Sequence, residues 1–386
     1  MHVNDKNASG RPVLIKNGLV FHTEGSFEPG VLFLRDGVFA PPAEAPADAE
    51  IVDAGGLYLI PGLTDLHFHG CMGHDFCEGS EEAIRILAEY EESVGVTAIC
   101  PATMTFPEEK LTGVMRAAAG YRSEGGAALA GINMEGPFLS REKCGAQNPA
   151  YLAPPDAAMF RRLQEAAGGL IRLVDLAPET EGAFPFIEAL RDETVLSLAH
   201  TAADYDLASR AFAAGIRHVT HLYNAMNPMS SRAPGPIAAA ADADGVEVEM
   251  ICDGIHIHPA MVRTAFRMFG DDRIIFISDS MEATGLPDGD YELGGQPVHK
   301  QGSLCTLADG TIAGSATNLM DCMRKAVRDM DIPLASAVKC AAVNPARSLG
   351  ITDRRGSLET GRDACLVALD KDLEISMIYN RGRRIR

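Results

Sequence analysis

Apolar positions along the chain fall into two textures. Between residue 61 and about residue 280, short apolar runs alternate with stretches whose apolar positions recur every three or four residues. The runs cover residues 63–69, 96–100, 129–134, 171–176, 195–199, 219–220, 246–252 and 274–278. Short runs of this kind read as strands, and the three-to-four spacing reads as helix. Helix starts are marked by Ser80 before Glu81 and Glu82, by Pro107 before Glu108 and Glu109, by Pro155-Asp156, by Asp204 and by Pro259. Capping side chains, proline in the first turn and early acids all favour helix entry. Alternation of this type predicts parallel strands joined by crossover helices. A count of eight strands predicts an α/β chain of the (β/α)₈ TIM-barrel class. An open doubly wound sheet is the alternative, although it would not bring the first and eighth strands together.

The two ends have the other texture. Val13-Leu14-Ile15, a turn at Lys16-Asn17-Gly18, Leu19-Val20-Phe21 and residues 31–34 are short β segments with no helix between them. Asp36-Gly37 is a hairpin signal. Residues 364–369 and 375–379, followed by Asn380-Arg381-Gly382, look the same. Both ends are therefore expected to pair into one small β domain, with the middle inserted. The expected boundaries are 1–60, 61–350 and 351–386.

Composition narrows the class of partner. A formal charge of −19 argues against nucleic acid and anionic membranes. No apolar stretch reaches 18 residues, so no membrane span is expected. Residues 1–10 are polar and carry no apolar core of a signal peptide. Nine cysteines without a C-x-x-C pair fit a reducing cytoplasm and ordinary packing. Met320 and Met323 are expected in the core.

The chemistry gathers at strand ends. His67 and His69 close the first strand, Glu135 the third, His200 the fifth, His221 the sixth and Asp279 the eighth. In this barrel class, reacting groups sit at the C-terminal strand ends. Each residue alone could be a simple cap; the set of imidazoles and carboxylates predicts a divalent metal centre. Zinc suits the mixture best, with iron, cobalt or manganese also compatible. Six ligands exceed one catalytic site, which predicts one or two metals per chain with Glu135 shared. Asp279 is the candidate proton carrier. The loops beyond the strands offer Ala146 and Gln147, Asn224 and Ala225, Arg232, Asp253 and His256, and Ile312-Ala313-Gly314 for a substrate. Arg232 suits a phosphate. His258, before Pro259, is expected to be structural.

These motifs resemble the amidohydrolase superfamily, and closely its N-acetylglucosamine-6-phosphate deacetylases. The resemblance is carried by Pro61-Gly62-Leu63-Thr64-Asp65-Leu66-His67-Phe68-His69-Gly70, Asn133-Met134-Glu135-Gly136-Pro137-Phe138 and Leu198-Ala199-His200-Thr201. It continues through Thr220-His221-Leu222-Tyr223-Asn224-Ala225-Met226, Asp253-Gly254-Ile255-His256, Ser278-Asp279-Ser280 and Ile312-Ala313-Gly314-Ser315. It implies a barrel with a β-sandwich made from both termini, and a homodimer. It implies hydrolysis of N-acetyl-D-glucosamine 6-phosphate to D-glucosamine 6-phosphate and acetate, in amino-sugar catabolism. Glu135, His200 and His221 match the family's constant metal site. His67 and His69 match a pair that some members use for a second metal. Asp279 matches the acid/base, and Asn224, Ala225, Arg232 and His256 match substrate-binding positions. Arg232 would reach the partner subunit's phosphate. Gln147 stands where many members have histidine, and is expected near the acetyl carbonyl. Two alternatives remain at this point: a related amidohydrolase acting on N-acetylgalactosamine 6-phosphate or a cyclic amide, and a non-catalytic sugar-phosphate sensor.

Overall fold

The computed structural model describes residues 11–123 and 125–386. The polar stretch 1–10, read above for the lack of a leader, lies outside the described residues. Both termini meet in one sheet. Its order runs Arg383–Arg384, Ile375–Asn380, Leu366–Leu369, Tyr58–Pro61, Val13–His22, Ser26–Arg35 and Val38–Ala40, with Glu50–Asp53 also beside Val13–His22. The expected turn at Lys16-Asn17-Gly18 is instead a bulge inside one continuous strand, where the register shifts between Ile15 and Gly18. Asn17 takes a left-handed φ of 64° there. The extra residues bend the strand, so its first half pairs with Glu50–Asp53 and its second with Tyr58–Pro61. Ile15, Leu34, Leu59, Leu366 and Tyr379 fill the core of this sheet.

The middle of the chain forms a curled parallel sheet. Leu63–Asp65 pairs with Val96–Ile99, which pairs with Ala128–Leu129. Ile132–Met134, Ile171–Leu176, Val195–Leu198, His218–Val219, Glu247–Ile251 and Ile274–Ile277 then follow in order. The third strand is thus split in two. Gly131 lies at the break, where a Cβ would stand 2.3 Å from the Arg172 side chain. The sheet's ends approach each other, since the Asp279 N–H donates to the His67 carbonyl at 3.0 Å.

Side-chain alternation explains the layering. In the eighth strand, Ile274 and Phe276 join the large outer core with the helices. Ile275 and Ile277 point the other way and meet Leu66, Cys100, Leu173 and Ile251 inside the curl. The foreseen helices occur at Glu81–Ser93, Glu108–Gly120, Ala157–Ala166, Tyr205–Ala214 and Pro259–Phe269. Ser80, Asp156 and Asp204 cap three of them, each accepting a main-chain N–H. Such a cap is worth about 1 kcal/mol. His258 caps another, with Nδ1 accepting from the Ala260 N–H, so its role is structural as expected. Met320 and Met323 are buried in Leu319–Arg328.

Several elements were not foreseen. Ala183–Leu190 and Gly235–Asp242 are short crossover helices. A separate antiparallel sheet, Gly289–Leu293, Gln296–Gln301 and Leu304–Thr306, follows the eighth strand. No helix of the described residues is long and apolar enough to cross a membrane.

Candidate metal centre

The parallel strands stop at similar heights, and the polar residues stand just beyond them. His200, His221 and Asp279 each lie two residues past the last strand residue. All three have left-handed backbones, with φ of 43°, 31° and 50°. Such a conformation costs of order 1–3 kcal/mol in a non-glycine residue and persists only where its surroundings enforce it. Here it turns each side chain from the strand direction toward one common point. The first strand ends at Asp65, so His67 and His69 sit on an irregular extension rather than within a strand. Their rings lie 5.5 Å apart at an 82° angle, yet both Nε2 atoms face the centre.

Six buried groups converge as two triads, His67 with His69 and Asp279, and Glu135 with His200 and His221. In the second triad, Glu135 Oε1 lies 2.9 Å from His200 Nε2 and 3.2 Å from His221 Nε2, and the two nitrogens are 3.1 Å apart. The opposite nitrogens are committed. His200 Nδ1 donates to the Lys143 carbonyl at 2.8 Å and His221 Nδ1 to the Asn224 carbonyl at 3.2 Å. A neutral imidazole carries one proton, so both Nε2 atoms present lone pairs. Two lone pairs and a carboxylate oxygen meeting in a buried space call for a cation.

In the first triad the pattern holds for His67, whereas His69 Nδ1 is buried without a hydrogen-bond partner. His69 Nε2 lies 3.3 Å from both Glu135 Oε2 and Asp279 Oδ1. His67 Nδ1 donates to Glu249 at 2.9 Å, while its Nε2 is buried without a hydrogen-bond partner. That nitrogen stands 3.6 Å from Glu135 Oε2 and 3.7 Å from Asp279 Oδ1. Glu135 therefore faces one triad with each oxygen. Imidazoles and carboxylates in this arrangement fit a borderline-soft divalent ion.

Charge coupling is strong. Burial opposes ionisation of Glu135, but the facing imidazoles of His67, His200 and His221 outweigh it and hold the carboxyl well below its ordinary range. Asp279 is likewise lowered, since the facing imidazoles of His69 and His67 overcome burial. Both groups are therefore carboxylates near neutral pH.

Over this centre lies a cavity of about 390 Å³. Ala146, Gln147, Asn224, Ala225, His256, Ile312 and Gly314 line it, with His69, Glu135, His200, His221 and Asp279 at its floor. The remaining expected contacts stand elsewhere. Asp253 accepts from His256 Nδ1 at 2.8 Å and from the Ile255 and His256 N–H groups, so it holds His256 in place. Ala313 is fully buried and supports its neighbours from behind. Arg232 is exposed and lines a separate cavity with Asp204, Tyr205 and Pro228. Gln147 is bonded at both ends of its amide. Nε2 donates to Glu135 Oε2 at 2.9 Å, and Oε1 accepts from the Thr105 N–H at 2.7 Å. The second amide hydrogen faces Met104 Sδ at 3.6 Å. Polarising a carbonyl would require exchanging one of these bonds.

Sequence reasoning missed six contributors. Met104, Glu142, Lys143, Gly145, Leu293 and Thr311 also line the cavity. It also missed Glu249, whose signal was faint: a glutamate at a core-facing position of the seventh strand.

Residues 58–384 match the model of the amidohydrolase family. The chain belongs to that family. Among relatives, it is 37% identical to an N-acetylglucosamine-6-phosphate deacetylase of Bacillus subtilis, covering 96% of this chain and 93% of the relative. It is 32% identical to an N-acetylgalactosamine-6-phosphate deacetylase of Escherichia coli O157:H7, covering 93% and 96%. Among solved structures, a Mycobacterium smegmatis N-acetyl-D-glucosamine-6-phosphate deacetylase mutant in complex with N-acetyl-D-glucosamine-6-phosphate superposes with a TM-score of 0.90 at 32% identity, covering 97% of this chain and 99% of that one.

Proposed function

We propose that this chain hydrolyses N-acetyl-D-glucosamine 6-phosphate to D-glucosamine 6-phosphate and acetate, as a step in cytoplasmic amino-sugar catabolism. The observation that carries the reading is the pair of buried triads meeting at Glu135 beneath the cavity. Relatives of that name matching nearly the whole chain support it. On this reading the curled sheet is a closed (β/α)₈ barrel over residues 61–350. The terminal sheet is a β-sandwich from residues 1–60 and 351–386, and the enzyme is a homodimer.

The residues that would hold metal are His67, His69 and Asp279 for one ion and Glu135, His200 and His221 for a second, with zinc the best match to the donors. A divalent ion bound there supplies an acidified water and polarisation of the acetyl carbonyl. The chain's own groups do the rest. Asp279, held ionised, takes the proton from the attacking water as its oxygen bonds to the acetyl carbon. The same proton passes to the amide nitrogen as the C–N bond breaks, so the amine leaves neutral, and the acid formed releases its remaining proton to become acetate. His256, fixed by Asp253, presents Nε2 to the sugar. Asn224, Ala225, Ala146 and residues 312–314 wall the cavity around it.

The test is a screen for acetate release from N-acetylated glucosamine and galactosamine, with and without 6-phosphate, with metal quantified beforehand. The 6-phosphate of N-acetylglucosamine is expected to be hydrolysed fastest, and Asp279→Asn to lower kcat by about 10²–10⁴-fold with binding retained. Near-normal turnover in that variant with metal intact would remove Asp279 from the role. No acetate from any sugar phosphate would refute the reading.

A further inference from the structure

Glu249 lies at the third position of strand Glu247–Ile251 and is fully buried. Its neighbours Val248 and Met250 face the outer helices, so strand alternation sends Glu249 inward beneath the metal centre. A carboxylate is rarely placed in such a core without a task. One oxygen, Oε2, accepts two bonds: from His67 Nδ1 at 2.9 Å and from the His221 N–H at 3.1 Å. The other, Oε1, has no hydrogen-bond partner, and His218 Nδ1 is 3.8 Å from it.

These two bonds reach both triads. A carboxylate only accepts, so the bond to His67 fixes that ring as its Nδ1–H form and leaves Nε2 a lone pair facing the centre. His200 and His221 are oriented by main-chain carbonyls. Of these three oriented rings, His67 alone has a charged partner. An anion on the far nitrogen also raises the basicity of the facing one. The bond to His221 acts differently. It holds the main chain at the residue whose φ is 31°, where the backbone turns the imidazole into the second triad.

We infer that Glu249 is a positioning residue that locks both halves of the metal centre through a single carboxylate oxygen. This rests on the metal-dependent reading above and goes beyond it, since Glu249 faces neither the cavity nor either ligand triad as a donor. Its removal should weaken both sites together, whereas loss of a ligand confined to one triad, such as His67, should weaken its own site alone.

The experiment titrates metal-free protein with cobalt(II) against a competing chelator, following the visible absorption of bound cobalt and the metal content per chain. Wild type is expected to take two equivalents. His67→Ala should lose one and keep the other near its original affinity. Glu249→Gln keeps the shape but offers one neutral acceptor for two donors, and should weaken both equivalents by about 10–100-fold. Its kcat should fall accordingly, while KM at saturating metal stays within about threefold of wild type. Glu249→Ala should show the same pattern more strongly; the near-isosteric glutamine variant keeps the test valid if the alanine variant does not fold. Two equivalents bound normally by Glu249→Gln would overturn the inference. So would weakening of one equivalent only, which would confine Glu249 to His67. A wild-type chain that binds no cobalt would instead refute the metal-dependent reading, and this inference with it.

Discussion

Glu135 is the residue on which the centre turns, and Gln147 is its only amide contact among the described hydrogen bonds. A histidine at the Gln147 position would offer a titrating donor; an amide does not titrate near neutral pH. Because the Gln147 amide holds Glu135 Oε2 and is itself held by Thr105, it both orients a carboxylate of the candidate metal centre and borders the cavity. Gln147→Ala and Gln147→Leu are expected to lower kcat by roughly 10–10³-fold, reaching at most the loss of about 10²–10³-fold that follows removal of a transition-state donor. Gln147→His should retain clear activity and add a pH dependence near the imidazole's titration. The measurement is kcat across pH with metal content matched. Unchanged turnover in both the alanine and leucine variants would limit Gln147 to anchoring its loop.

The elements place these residues by ending where they do. Strands of similar height bring His200, His221 and Asp279 to one level, and the left-handed residue at each end turns the side chain inward. The inserted sheet then covers one side of the cavity. Leu293 comes from its first strand, and Gln296, opening the second, donates from Nε2 to the Ala146 carbonyl at 2.5 Å. That bond ties the insert to the loop carrying Gln147. Gln296→Ala removes one hydrogen bond worth about 0.5–1.5 kcal/mol. It is therefore expected to raise KM by about two- to tenfold, with kcat and melting temperature little changed. Steady-state kinetics beside a thermal melt check this, and an unaltered KM would mean that the insert does not steady the loop.

Across the whole molecule, the charge of −19 sets a problem for an anionic substrate. A phosphate needs local positive charge against that background. Lys143 lines the cavity, whereas Arg232 is exposed on a separate surface. If Arg232 serves the phosphate, it serves the site of a second copy. Arg232→Ala should then raise KM for the phosphorylated sugar at least tenfold while leaving the unphosphorylated sugar almost unaffected. Mixing Arg232→Ala with Asp279→Asn subunits should restore activity in hybrid dimers, because one site then has both residues. No restoration in verified hybrids, or equal effects on both sugars, would leave the phosphate to Lys143.

The alternation of apolar runs and helical spacing determined eight parallel strands, because periods of two and of three to four are local properties of the chain. The positions of histidines and carboxylates after those runs likewise determined which six residues could bind metal, since a strand end is a local event. Hairpin turns such as Asp36-Gly37, with φ of 53° and 80°, were legible for the same reason. The pairing of the six ligands into triads was not local. It depends on strands 1, 3, 5, 6 and 8 being brought within hydrogen-bond distance across the curl. Nor was the task of Glu249, because a buried glutamate and a solvated one look alike in sequence until the opposite wall of the fold is known. The same holds for Gln147, whose amide partners lie 12 and 42 residues away along the chain, and for Arg232, which only the folded surface separates from the cavity. Local pattern thus set which groups are present at the strand ends; long-range packing set which atoms face one another, and that decides the chemistry.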